Sequence, residues 1–402
     1  MQSNAPTIER PKAKQYALFA YGFRPFFLGA ALQAVVAIPL WLLALEGLGA
    51  DFHGMQPLQW HIHEMLFGFV GAAAAGFVLT AVPNWTTRRG YFGPPLMALF
   101  ALWLAARITI NPFITVPLWV PFLFDVFFIP ALIGLILPSL VRSRNRKNYM
   151  IAGMLGLYGL ANILCWLELM GWAHGTWDSG VTLGFDLVLL LVTVIGGRIV
   201  PSFTSSSLHR QGVEIQLPVN TWLDRAAILL TALLLFAHQF SDGNIAVAGI
   251  AAAAAVAHTI RWIRWQGWRT FDDPLLWILH VAYLWIPIAL CLQVTFLLTG
   301  SVYASAWRHA YSAGVFSCMI MAVMSRAALG HTGRPLVAAK TMVFGYIALI
   351  FAGICRVLAP AFSENYQMVI DIAGGLWMLA FGIYLFIYTP ILIKPRIDGR
   401  PG

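Results

Sequence analysis

The chain has 402 residues; 60% are hydrophobic, only 10% are charged, and the net charge is +9. A soluble globular domain is about 25% charged, so a water-soluble fold is excluded. The mean hydropathy of +0.76 points to an all-α, polytopic membrane protein whose partner is the lipid bilayer. The positive excess follows membrane topology, and no nucleic-acid partner is expected.

The chain opens with a basic segment, residues 1–25, that carries Arg10, Lys12, Lys14 and Arg24. Apolar stretches long enough to span, at about 20 residues each, then fall at 26–46, 61–83, 93–109, 114–141, 149–170 and 180–199. Six more fall at 223–241, 244–263, 274–299, 306–328, 338–359 and 366–393. The expectation is a single membrane domain over 1–402, with a twelve-helix bundle over 26–393 and a short tail, 394–402. The first span is too long for a signal-peptide core, so no cleavable signal is expected.

Twelve spans put both termini on one side. All but three of the 25 Lys and Arg residues lie in the N-terminal segment, in the loops after the even-numbered spans, and in the tail. The positive-inside rule places that side, with both termini, in the cytoplasm. The exceptions are Arg107, Arg308 and Arg356.

Span 2 opens with Trp60-His61-Ile62-His63-Glu64. Imidazoles and a carboxylate at a membrane boundary need pairing, solvation or a metal, so the run reads as a metal or haem site. On a regular helix, residues i and i+2 point about 200° apart. His61 and His63 therefore serve two centres on opposite faces, or one binds metal while the other hydrogen-bonds. If the helix starts later, both reach one ion. Glu64 stands at i+3 from His61, on one face with it. It is a candidate to orient His61, to ligate metal, or to relay protons in catalysis.

His309, beside Arg308, lies at the same mouth of the bundle at the start of span 10. His238, near the same end of span 7, joins them in an outer belt, though an ordinary interface residue is the simpler reading. An inner belt comprises His280 on span 9, His258 on span 8 and His331 after span 10. His309 and His331 stand about 33 Å apart along a helix. They cannot share a metal unless the segment 330–333 folds back. The protein thus has two sites, or one belt is structural. Arg308, Arg326 and Arg198 are candidate cationic partners for haem propionates. Asp125, Asp186 and Asp371 are proton-path or polar-network candidates.

Cys165, Cys291, Cys318 and Cys355 lie inside spans, and none forms a CxxC or CxxCH pair. Covalent c-type haem and structural disulfides are not expected. A weak repeat marks three span exits: Val82-Pro83-Asn84-Trp85-Thr86, Val200-Pro201-Ser202-Phe203-Thr204 and Leu329-Gly330-His331-Thr332-Gly333. They are four spans apart, which hints at a pseudo-threefold arrangement of four-helix units. Helix ends rich in Pro, Gly and Thr are the alternative.

Several segments resemble the NnrS family of bacterial inner-membrane proteins. They are Gly22-Phe23-Arg24-Pro25-Phe26-Phe27, Trp60 to Gly68, Ala81 to Thr86, Gly196 to Thr204, Asp273 to His280 and Ser325 to Pro335. The resemblance implies a b-type haem protein that also binds copper and is linked to nitric oxide and denitrification. It implies a localisation in the bacterial inner membrane. A second likeness is architectural only. Haem-copper oxidases also have twelve spans in pseudo-threefold array, with haem histidines at the outer ends of helices two and ten. The copper histidines they carry on helix seven are absent here.

The combined expectation is a haem protein that binds or turns over nitric oxide, limiting nitrosative stress. If it is an enzyme, it reduces nitric oxide to nitrous oxide with electrons from a quinol or a periplasmic protein. His61, His63 and His309 form one centre; His280, with His258 or His331, forms another. The alternatives are a transporter of haem, copper or a nitrogen oxide, and a sensor or assembly factor without turnover.

Overall fold

A computed structural model describes residues 17–47, 52–144, 148–213, 217, 221–240 and 244–400. Arg10, Lys12, Lys14, Arg146 and Lys147, which contribute to the charge asymmetry, lie outside the described residues. The described residues contain helices and no strand. The long helices are α1 (Phe23–Leu45), α2 (Pro57–Thr86), α3 (Pro94–Thr109), α4 (Trp119–Arg142), α5 (Tyr149–Leu169) and α6 (Thr176–Arg210). They continue with α7 (Thr221–Phe240), α8 (Asn244–Arg264), α9 (Pro274–Thr299), α10 (Val302–His331), α11 (Lys340–Leu358) and α12 (Tyr366–Ile393).

Eleven of these are long and apolar enough to cross a membrane. The exception is α3, with 16 residues, about 24 Å of helix against a hydrocarbon core of about 30 Å. Pro94 and Pro95 fix its start, and Asn111-Pro112 prevents its continuation. The span expected at 93–109 is therefore a shorter apolar helix.

Helix starts follow the local chemistry. Gln56 and Gln59 cap α2 reciprocally before Pro57. The Asp273 carboxylate accepts the Leu275 N–H at 3.1 Å, just before Pro274 opens α9. Both are caps that satisfy donors a helix leaves free.

Sequential helices pack as neighbours, and α12 returns to α1. The most enclosed helices are α2 and α10, followed by α9, and α6 touches both α2 and α10. In their most apolar stretches α2 is 78% and α10 72% buried, against 22% for α7. The three exit threonines make the same bond: Thr86, Thr204 and Thr332 donate to the carbonyls of Val82, Val200 and Ala328 at 2.8, 2.9 and 2.6 Å.

Arg24 closes the ring. It is fully buried and donates through Nη1 to the carbonyls of Leu392 and Lys394 at 2.7 and 2.8 Å. These are groups that the end of α12 leaves unpaired. Trp377 adds a bond to the Ala34 carbonyl at 3.0 Å. Arg24→Met should lower the thermal stability of the detergent-solubilised protein by about 2–4 kcal/mol, because charge-assisted bonds are lost and buried carbonyls are left bare. Tryptophan fluorescence during heating measures it.

Candidate functional site

The two most enclosed helices are not regular. Glu64–Val70 in α2 and Ala310–Phe316 in α10 are π-helical, a geometry that widens the turn to i→i+5 bonds and is frequent at functional sites. Each π turn follows a histidine directly, His63 in one and His309 in the other. Each has glycine as its fifth residue, Gly68 and Gly314. A Cβ at either would come within 2.5 Å of a neighbour, Arg107 Nη1 or the Trp285 ring. Only glycine lets those side chains reach the widened backbone. Carbonyls of the first π turn are collected from outside: Tyr158 donates to Leu66 O, and Trp103 Nε1 donates to Gly68 O at 3.1 Å.

His61 and His63 face different sides of α2. His63 is fully buried. Its Nδ1 lies 3.1 Å from Glu64 Oε1, and its Nε2 lies 3.0 Å from Asn162 Oδ1 and 3.2 Å from Asp125 Oδ2. Arg107 donates to Glu64 Oε1 at 2.6 Å and also to Asp125. Asp125 Oδ2 further accepts from Asn162 Nδ2 and Trp166 Nε1, at 2.6 and 2.8 Å. Gln33 Nε2 donates to the second Glu64 oxygen at 2.8 Å. Two carboxylates thus meet one guanidinium and one imidazole, and the quartet is neutral when both imidazole nitrogens carry protons. Both nitrogens are engaged, and neither faces His309.

Glu64 does not face His61 as the i, i+3 spacing predicts. Arg107 and Gln33 capture its two oxygens instead. Trp60, at the head of the run, is buried as well. It is 2% exposed, packs with Phe52 at 5.5 Å, and donates to the Ile110 carbonyl at 3.0 Å.

His61 turns the other way. Its ring stacks on Trp41 with centroids 4.6 Å apart, and its Nδ1 is buried without a hydrogen-bond partner. His61 and His309 lie close enough to interact electrostatically, and Arg356 of α11 lies within electrostatic reach of both. Helices distant in sequence therefore bring two half-buried histidines and a guanidinium to one place, at the N-terminal ends of α2 and α10. Arg308 is exposed, with its guanidinium 4.8 Å over the Trp307 ring.

A family model described as NnrS protein matches residues 17–396. The chain belongs to the NnrS family. The matched region runs from before α1 to beyond α12, so both π turns and the quartet lie inside the family's own sequence. No curated protein matches the chain.

The inner-belt histidines do not converge. His280 Nε2 shares a 2.8 Å bond with Thr204 Oγ1, and its ring lies directly against Gly267. His258 bonds Thr231 at 3.0 Å and Tyr283 at 2.8 Å. His331 packs against Tyr21 and Phe23, at ring distances of 6.0 and 5.6 Å. Arg198 is exposed and donates to Asn148 Oδ1 at 3.0 Å. Arg326 is 8% exposed, 4.2 Å over the Phe203 ring. Among the described residues, no three His, Cys, Asp or Glu side chains form a metal cage.

Sequence reading passes over Gln33, Arg107, Asn162, Trp166 and Arg356. A signal existed for two of them: Arg107 and Arg356 are among the three basic residues on the sparsely charged side. Asp125→Ala should destabilise the protein by about 3–5 kcal/mol, since it strips a buried cation of its partner. Asp371, which accepts from Gln367 at 3.0 Å on the outside of the bundle, should tolerate alanine within about 0.5 kcal/mol. Thermal unfolding of both variants gives the comparison.

Proposed function

We propose that this membrane protein binds b-type haem between α2 and α10 and uses it to bind or turn over nitric oxide. The observation that carries the reading is the unpartnered Nδ1 of His61 within electrostatic reach of His309, with Arg356 in reach of both. A buried imidazole nitrogen with no partner is costly, and His61 Nδ1 is one. The donor set fits haem: neutral imidazoles for iron, and guanidiniums for propionates. His61 and His309 would hold the iron, with Arg356 and the exposed Arg308 pairing the propionates. When bound, haem supplies an iron site for a small apolar gas, and membership of a family linked to the nitric oxide response supports that gas.

This chain's residues shape the site in definite ways. Trp41 covers one face of His61 and excludes water from it. Glu64 acts on the site indirectly, as the anion that holds Arg107 and His63 and so fixes the other face of α2. His63 hydrogen-bonds and leaves ligation to His61. Copper finds no comparable set among His258, His280 and His331, and we assign it no ligands and no step. We place α2, α6 and α10 as equivalent inner helices of a pseudo-threefold bundle in the bacterial inner membrane. The charge asymmetry requires the short α3 to cross as well, which puts both termini in the cytoplasm and the histidine pair on the periplasmic side.

Purified protein should show a Soret band. His61→Ala and His309→Ala should each abolish it, whereas His258→Ala, His280→Ala and His331→Ala should keep it. Absence of any haem from the folded wild-type chain would sink the reading. Nitrous oxide, measured after adding nitric oxide and a reductant, separates turnover from binding.

A further inference from the structure

Asp186 of α6, His238 of α7, Gln293 of α9 and Tyr311 of α10 form a chain of side chains that the haem reading does not use. His238 Nδ1 lies 2.8 Å from Asp186 Oδ2. Gln293 Nε2 lies 2.6 Å from His238 Nε2, and the Tyr311 hydroxyl donates to Gln293 Oε1 at 3.3 Å. Asp186 is 7%, Gln293 1% and Tyr311 2% exposed. His238 is therefore no ordinary interface residue.

The direction of each link follows from the one before. An ionised carboxylate only accepts, so His238 donates through Nδ1 and keeps a lone pair on Nε2. Gln293 must then offer its NH2 to that lone pair, which turns its carbonyl to Tyr311. The Tyr311 hydroxyl is left to donate. An amide neither gains nor loses a proton in the course of this, so the chain is a strut and not a proton relay.

The strut ends on the π turn of α10. Tyr311 is the second residue of that turn and stands two residues after His309. Trp307 is held on both sides, 6.2 Å from the His238 ring and 6.0 Å from the Tyr311 ring. A π turn replaces the i→i+4 ladder with i→i+5 bonds, and the Tyr311–Gln293 bond ties this one to α9. In α2 the His63 quartet fixes the rotation of the helix. We propose that Asp186, His238, Gln293 and Tyr311 are positioning residues that lock the π turn of α10 and aim His309 at His61. The proposal rests on the reading of those two histidines as the haem-holding pair.

The test uses the full-length protein in two forms. In the haem-loaded form, electron paramagnetic resonance of the ferric haem reports how the histidines are oriented. Tyr311→Phe removes only the terminal hydroxyl, and Asp186→Asn lets the chain reverse its polarity. Both should shift the resonance positions. Thr231→Val, which removes a comparably buried bond to His258, should leave them unchanged. In the second form the four native cysteines are replaced and spin labels stand at positions 61 and 309. No haem is needed there, and the distance distribution should broaden in Tyr311→Phe and Asp186→Asn but not in Thr231→Val. Unchanged distributions in both strut variants would overturn the proposal. Absence of haem from the wild-type form overturns only the haem reading, because the labelled form still reports the strut.

Discussion

Glu64 and Asp125 are carboxylates inside a helix bundle, at 1% and 4% exposure, and the first half of the molecule is arranged around holding them. An unpaired charge there would cost several kcal/mol. Five helices contribute to its cancellation: Gln33 from α1, His63 and Glu64 from α2, Arg107 from α3, Asp125 from α4, and Asn162 with Trp166 from α5. Lipid gives helices no hydrophobic reason to associate, so polar contacts and close packing decide their arrangement. The short α3 illustrates this. It is the shortest of the twelve long helices, and Arg107 ties it to both carboxylates.

That constraint explains the division of labour between the two histidines of span 2. Fixing His63 to α4 and α5 fixes the rotation of α2 about its axis. His61 is then directed to the opposite side, against Trp41 and toward His309. The spacing of two residues converts a structural anchor on one face into aim on the other. The π turn that begins at Glu64 supports the same end. Tyr158 and Trp103 donate to its carbonyls, so side chains from α5 and α3 hold the turn in addition to its own i→i+5 bonds.

The helical architecture was legible because each span carries its own signal in hydropathy and in its bounding prolines. Depth arithmetic separated His309 from His331, and the structure gives them different neighbours. The helical angle separated His61 from His63. The π turns were not legible, because a change from i→i+4 to i→i+5 bonding leaves hydropathy unaltered. Glu64 was misdirected because its partners Arg107 and Gln33 lie far from it in sequence. The inner belt was misleading in another way. Similar depth does not imply a common direction, and Thr204, Tyr283 and Tyr21 each draw one histidine to a separate place. The quartet's pairings, such as Arg107 with Glu64, join residues far apart in sequence, and periodicity says nothing about these.

The three basic residues that break the charge asymmetry carried more information than the 22 that obey it. A loop arginine on the densely charged side is accounted for by topology, but one on the sparse side is not. Arg107 neutralises the buried carboxylates, Arg356 lies within electrostatic reach of His61 and His309, and Arg308 adjoins His309 in the chain. All three sit at the level of the π turns or at the mouth above them. A membrane protein retains a cation against its topological bias where some local negative charge repays it. For Arg107 that charge is Glu64 and Asp125. Among the described residues no carboxylate forms an ion pair with Arg356; the Tyr366 hydroxyl is within its reach. In the haem reading proposed above, a propionate is the anion that would pair with Arg356.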